Sequence, residues 1–239
     1  MPPLRINDEA IAVNISMLLY PRLTLLDLMG PLQVWNHWPD ATIELVAAGL
    51  DPVPSDTGAT VLPTHTYGSA SESPDILFVP GAAEGAIAAM TDRNTLDYLA
   101  DRGSRARWVT SVCTGSILLG AAGLLRGYRA TTHWAAIAAL THFGAEPVES
   151  RWVIDRDRAT GGGVTAGIDF GLAVMAEIAG EATARAAQLA IEYAPAPPFA
   201  SGTPAEAQPE TVREVNELFA PYRQALAAAA VAARRTDRA

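Results

Sequence analysis

A single cysteine, Cys113, stands in this 239-residue chain where an apolar run, Trp108-Val109-Thr110-Ser111-Val112, meets an amphipathic one, Thr114-Gly115-Ser116-Ile117-Leu118-Leu119. A strand-to-helix turn at that junction pushes the side chain out of the sheet edge. The first helix amides, the positive end of the helix dipole, then point at the sulfur. Both effects favour the thiolate, the form that attacks carbon. A free cysteine is also among the most buried residue types and commonly acts as a small hydrophobe, so position alone leaves nucleophile and core filler balanced.

Asp27 is the acid whose surroundings stand out, set between Leu25-Leu26 and Leu28-Met29. Such a carboxyl either caps the helix predicted over residues 27–38 or is buried with a raised pKa. Two glycine clusters follow strand-like runs. In Val79-Pro80-Gly81-Ala82-Ala83-Glu84-Gly85 the amides are able to donate to an anion, but the dinucleotide fingerprint and the P-loop lysine are absent, so no nucleotide is implied. Gly161-Gly162-Gly163 before Val164 is a second place where missing side chains let something come close. A plain turn is the simpler reading of both. The histidines His37, His65, His133 and His142 lack ligand spacing, which makes a zinc or iron site improbable, and His133 reads as a helix-start residue.

The elements that must position these residues alternate. Strand-like runs at 11–19, 42–47, 75–79 and 108–112 are separated mostly by helical ones at 27–38, 95–102, 114–125, 133–143 and 166–179, with Gly103, Gly144 and Gly180 just past helix ends. Such alternation means βαβ units and a mainly parallel sheet. Turn-punctuated pieces between Ala48 and Thr66 predict a small antiparallel excursion. A further helix is expected over 181–193, then an extended proline-rich arm over 194–204 and a final alanine-rich helix over 210–235. Too few residues follow the arm for another core, so one domain is expected over 1–239, its core at about 11–193 with arm and helix to 235. In a doubly wound sheet ligands bind at the strands' C-terminal ends, where Asp27, Gly81, Cys113 and the triple glycine converge.

Composition narrows the function classes. Apolar residues make up 49% and charged ones 18%, which suits a chain with a substantial core. One cysteine excludes an internal disulfide framework and points to a reducing compartment. The first residues carry acids and no apolar stretch of a secretory signal, and the longest small-apolar run, 225–233, is too short to span a bilayer. The expectation is a cytoplasmic protein without a membrane span. A net charge of −9 repels a phosphate backbone, so nucleic acid is not an expected partner.

Ser111-Val112-Cys113-Thr114-Gly115-Ser116, with Gly120-Ala121-Ala122-Gly123-Leu124-Leu125-Arg126-Gly127 and Ala130-Thr131-Thr132-His133-Trp134, resembles the PfpI/ThiJ-like superfamily of the class I glutamine-amidotransferase-like fold. Leu26-Asp27-Leu28-Met29-Gly30-Pro31, the segment Thr160 to Asp169 and Glu192-Tyr193-Ala194-Pro195-Ala196-Pro197-Pro198-Phe199 look like its bacterial isocyanide (isonitrile) hydratase branch. The resemblance spans 11–204. It implies a flavodoxin-like doubly wound sheet sandwiched by helices, a homodimer, and cofactor-independent, metal-free addition of water to an isonitrile through a cysteine thioimidate. By the same resemblance Cys113 is the nucleophile, Asp27 its acid/base partner, Thr114 a neighbour needed for activity, and Val164 presents its carbonyl near the sulfur. Gly81 and Ala82, with Gly163, would supply the oxyanion pocket, although many relatives carry a second glycine where this chain has Ala82. Thr114 replaces the histidine of protease-like branches, so a peptidase dyad is unsupported. The alternatives are another cysteine enzyme of the superfamily, of amidase or glyoxal-detoxifying type, and a ligand-sensing domain like that of AraC-type regulators. The single helix after the arm speaks against the latter, which needs a basic two-motif domain.

Overall fold

The structure, a computed structural model, describes residues 12–236. In chain order the elements are β1 (Val13–Leu18), α1 (Leu25–Trp35), β2 (Ala41–Ala47), β3 (Val53–Pro54), β4 (Thr60–Val61), β5 (His65–Thr66), β6 (Ile76–Val79), α2 (Glu84–Ala89), α3 (Arg93–Arg105), β7 (Trp108–Val112) and α4 (Gly115–Ala121). There follow β8 (Arg129–Ala130), a 3-10 helix (Trp134–Phe143), β9 (Glu146–Pro147), β10 (Trp152–Asp155), β11 (Arg158–Gly161), α5 (Ala166–Ala179), α6 (Glu181–Ala190) and α7 (Pro209–Thr236). Ile11, where the first strand was expected to begin, lies outside the described residues.

Seven strands form the central sheet in the order β10-β11-β7-β6-β1-β2-β5, parallel throughout except for the β10–β11 hairpin. The order reverses between β1 and β6, and at such a switch point the two βα connections diverge to opposite faces and leave a crevice above the strand ends. Ile15, Met17, Ile76, Leu77, Phe78 and Val109 are fully buried, as both faces of a helix-covered parallel sheet demand. α1, α5 and α6 pack together on one face, and α2, α4, the 3-10 helix and α7 on the other.

The α1–α5 crossing is close because the residues between the helices are small. A Cβ added at Gly171 would stand 3.3 Å from the Val34 side chain, one at Gly167 3.1 Å from the Pro31 ring, and the Trp35 indole donates to the Gly171 carbonyl at 3.0 Å. This crossing fixes the start of α1, which carries Asp27, against the start of α5, which follows Val164.

The four expected strands are present, as is the antiparallel excursion, β3 paired with β4. The excursion also supplies Asp56, whose carboxylate accepts from the Leu25 amide at 3.1 Å and caps α1. Four expectations are corrected. The helix from 114 ends at Ala121, because Gly123 turns the backbone at φ +79 and the Leu124 amide bonds back to Leu119. Gly103 lies inside α3, pressed against Leu124, rather than beyond its end. The segment 134–143 winds as a 3-10 helix, ended by Gly144 at φ +74. Finally α7 folds back on its own chain, packing on the 3-10 helix and burying Leu226 and Ala230 in the main core.

Candidate active site

Cys113 has φ +52, in the left-handed region that a non-glycine residue enters only when its surroundings hold it there. The holding groups are on both sides. Its amide donates to the carbonyls of Gly161 (3.0 Å) and Gly162 (2.9 Å), and its carbonyl accepts from the Thr132 hydroxyl (2.8 Å) and the Ser116 hydroxyl (3.1 Å). Gly115 completes the turn, since a Cβ there would collide with the Val79 carbonyl oxygen. β7 and α4 can therefore meet closely against the end of β6, and the sulfur is thrust into the crevice at the switch point.

Asp27 is fully buried in the first turn of α1, where Thr24 and not Asp27 holds the cap position. Of the two readings of this acid, burial prevails over the cap. Its Oδ2 accepts from the Gly81 amide at 3.1 Å. Its carboxyl faces the Cys113 thiol at a contact that pulls the carboxyl pKa down, yet Oδ1 has no partner of full hydrogen-bond geometry. Gly81 lies between the two: a Cβ on it would stand 2.6 Å from Cys113 Cβ and 2.7 Å from Asp27 Oδ2.

Desolvation dominates the electrostatics. Burial pushes the Asp27 carboxyl from 3.8 up to about 7, more than its contacts with Cys113 and Gly81 offset. Burial, then the Asp27 carboxylate, pushes the Cys113 thiol up, and the amides of Val164 and Thr114 pull it down. The freely formed thiolate expected of a helix start is thus corrected. Two adjacent anions are disfavoured, so the pair titrates as a unit.

Val164 is also corrected. Its backbone bond to the sulfur lowers the thiol pKa, the effect of an amide donor, while its carbonyl accepts from Gly167 in the first turn of α5 (3.2 Å). The amide is delivered by a β-branched residue at φ +32, which is strained backbone. The expected oxyanion pair is spent elsewhere: the Gly81 amide goes to Asp27 and the Ala82 amide to Thr114 Oγ1 at 2.8 Å. Thr114 Oγ1 donates in return to the Ala82 carbonyl at 2.5 Å, so this side chain clasps the loop after β6. Gly163 faces no open space either, since a Cβ there would collide with the His133 ring. His133 does begin its helix, its Nδ1 accepting from the Ala135 amide at 3.2 Å, and burial lowers its pKa. Among the described residues no group of three or more His, Cys, Asp or Glu side chains is placed to hold a metal ion.

The sequence pattern of the DJ-1/PfpI family matches residues 13–177. The chain belongs to the DJ-1/PfpI family. This DJ-1/PfpI protein is 48% identical over 212 residues to the isonitrile hydratase of Pseudomonas putida, an alignment covering 88% of this chain and 91% of that one. It superposes on the crystal structure of a ThiJ/PfpI family protein from Pseudomonas syringae with a TM-score of 0.92 at 45% identity, covering 96% and 97% of the two chains. A transcriptional regulator of Pseudomonas aeruginosa, GbdR, is 38% identical over 80 residues, 33% of this chain and 22% of that one.

Two tyrosines at the site were not among the sequence candidates. Tyr20 is buried after β1, and its hydroxyl donates to the Pro80 carbonyl at 2.8 Å. Tyr222, on α7 beyond the family match, lies against Thr114 and within electrostatic reach of Cys113. The only signal for it is the aromatic pair Phe219 and Tyr222, three apart in an alanine-rich helix and therefore on one face.

Proposed function

We propose that this protein is an isonitrile hydratase in which Cys113 is the nucleophile and Asp27 the proton carrier. The observation that carries the reading is the 48% identity to the Pseudomonas putida isonitrile hydratase over 88% of the chain. The buried carboxyl–thiol pair supports the chemistry, because hydration of R–N≡C needs a nucleophile for the terminal carbon and a proton for that same carbon. The Cys113 thiolate attacks the carbon, Asp27 delivers its proton there, and R–N=CH–S–Cys forms. Water then adds to the carbon, its one released proton passing by way of Asp27 to the nitrogen, and Asp27 is reprotonated only in the last step, by the O–H proton lost as the C–S bond breaks. The C–S bond of R–NH–CH(OH)–S–Cys breaks, releasing R–NH–CHO and restoring the pair. No cofactor enters this balance. Thr114 positions the Gly81-Ala82 loop, and the Val164 amide holds the sulfur. The match to the regulator covers too little of either chain to support a sensing role.

In this reading the polypeptide is one domain, its core drawn from about 11–193 and closed by α7, and works in the cytoplasm; among the described residues no helix is long and apolar enough to cross a membrane. A homodimer is its simplest assembly, supported by Leu189, Phe199 and Leu218, which are 82%, 79% and 74% exposed on α6, the arm and α7. Incubation of the purified protein with cyclohexyl and aromatic isocyanides should yield the N-substituted formamides with turnover. Failure to convert any isocyanide across pH 6–9 overturns the reading.

A further inference from the structure

We propose that Tyr222 is a third side chain of the reaction site, its hydroxyl donating a hydrogen bond to the nitrogen of the cysteine-bound imidate and so activating that carbon toward water. The inference rests on the hydratase reading. It starts from α7, which lies outside the family match at 13–177 and packs on the 3-10 helix, α2 and α4, the helix that follows Cys113. Phe219 seats the helix by meeting the rings of His133 at 5.4 Å and Trp134 at 5.7 Å between centroids. Three residues on, Tyr222 turns its hydroxyl inward, where that oxygen is buried with no hydrogen-bond partner. The Thr114 hydroxyl lies against it short of full hydrogen-bond geometry, its own proton being committed to the Ala82 carbonyl, and the charge of the neighbouring Cys113 is felt there.

A buried hydroxyl left unpaired is a liability to the resting protein and needs a reason. The chemistry supplies one. Nitrogen in an isocyanide has no free lone pair, but after Cys113 attacks, the imidate nitrogen does. A donor held at Thr114, next to the nucleophile, gains its partner only once the covalent bond has formed, and catalysis profits from such late interactions. Burial holds the Tyr222 pKa above its ordinary value, so the group stays a neutral donor. Tyr20, also at this site, cannot serve, because its proton is committed to the Pro80 carbonyl.

The test compares full-length wild type with Tyr222→Phe, which keeps the ring and removes only the unpaired oxygen. Single-turnover reactions with cyclohexyl isocyanide are followed by intact-protein mass, which reads the Cys113 adduct, and by formamide release. The expected result is adduct formation within about twofold of wild type, adduct decay and kcat lowered by roughly 10-fold or more, KM lowered in step so that kcat/KM is little changed, and Tm unchanged or raised. The adduct therefore accumulates in the variant. A kcat within about twofold of wild type, or a loss that falls on adduct formation instead of decay, overturns the role. Wild-type protein giving neither adduct nor formamide overturns the hydratase reading, and this role with it, a result read on the wild-type arm alone.

Discussion

Cys113 and Asp27 divide one task, and their substitutions should separate the two halves. Cys113→Ala should abolish hydration while leaving the fold intact, measured as formamide production beside an unfolding curve. Asp27→Asn keeps the shape but cannot deliver a proton, so turnover should fall about 10²–10⁴-fold. The same change removes the carboxylate that pushes the thiol up, so iodoacetamide should label Cys113 faster in Asp27→Asn than in wild type at neutral pH. Faster alkylation with slower hydration marks the acid as a proton carrier; slower alkylation would mean that it serves to create the thiolate. The raised carboxyl also has a thermodynamic sign. The folded state holds this proton up to about pH 7 and the unfolded chain only to about 3.8, so the contribution to stability is present below pH 4 and lost as pH rises through 7. Asp27→Asn should therefore be more stable than wild type at pH 8, by on the order of 4 kcal/mol at most, and show no such gain at pH 4, measured by denaturant unfolding.

The turn between β7 and α4 is the element on which the nucleophile depends. Gly115→Ala places a methyl against the Val79 carbonyl oxygen, rigid backbone that cannot swing aside. The expected cost is about 1–3 kcal/mol by denaturant unfolding. Because α4 must back away, taking the Cys113 turn with it, turnover should fall about 100-fold even where the protein remains folded. Full activity in Gly115→Ala would show that the turn tolerates displacement. The excursion β3–β4 belongs to the same argument, since Asp56 caps the helix that carries Asp27.

For the whole molecule the open question is assembly. The arm after α6 carries Phe199 into solvent, and α6 and α7 expose Leu189 and Leu218, apolar surface that a second copy would cover. Light scattering at micromolar concentration should give about twice the chain mass of 25.1 kDa, and a monomer would contradict the proposed dimer. Phe199→Asp with Leu189→Asp should shift that mass toward the monomer without unfolding the protein, because neither side chain contributes to the core.

Where strands are made of Val, Ile and Leu and buried on both faces, as in β1, β6 and β7, local composition was enough to find them. In the hairpin, β11 escaped because its buried residues are Ala159, Thr160 and Gly161 after the charged turn from Asp155 to Arg158, while the strand signal of β10 is confined to Trp152, Val153 and Ile154. Nothing in the residues of β11 distinguishes strand from loop until β7 is beside them. The cysteine at a strand–helix junction and the acid in an apolar setting were legible as candidates, since each is an unusual residue in its neighbourhood. Their chemistry was not. Whether a helix-start amide or burial governs the thiol depends on how much water the fold removes and on a carboxyl 86 positions away in sequence. The same holds for the amides of Gly81 and Ala82, which looked free and are already engaged, and for Tyr222, which only the fold-back of α7 brings against Thr114. Local sequence sets what each residue is able to do; three-dimensional packing decides which groups remain unpaired, and in what dielectric.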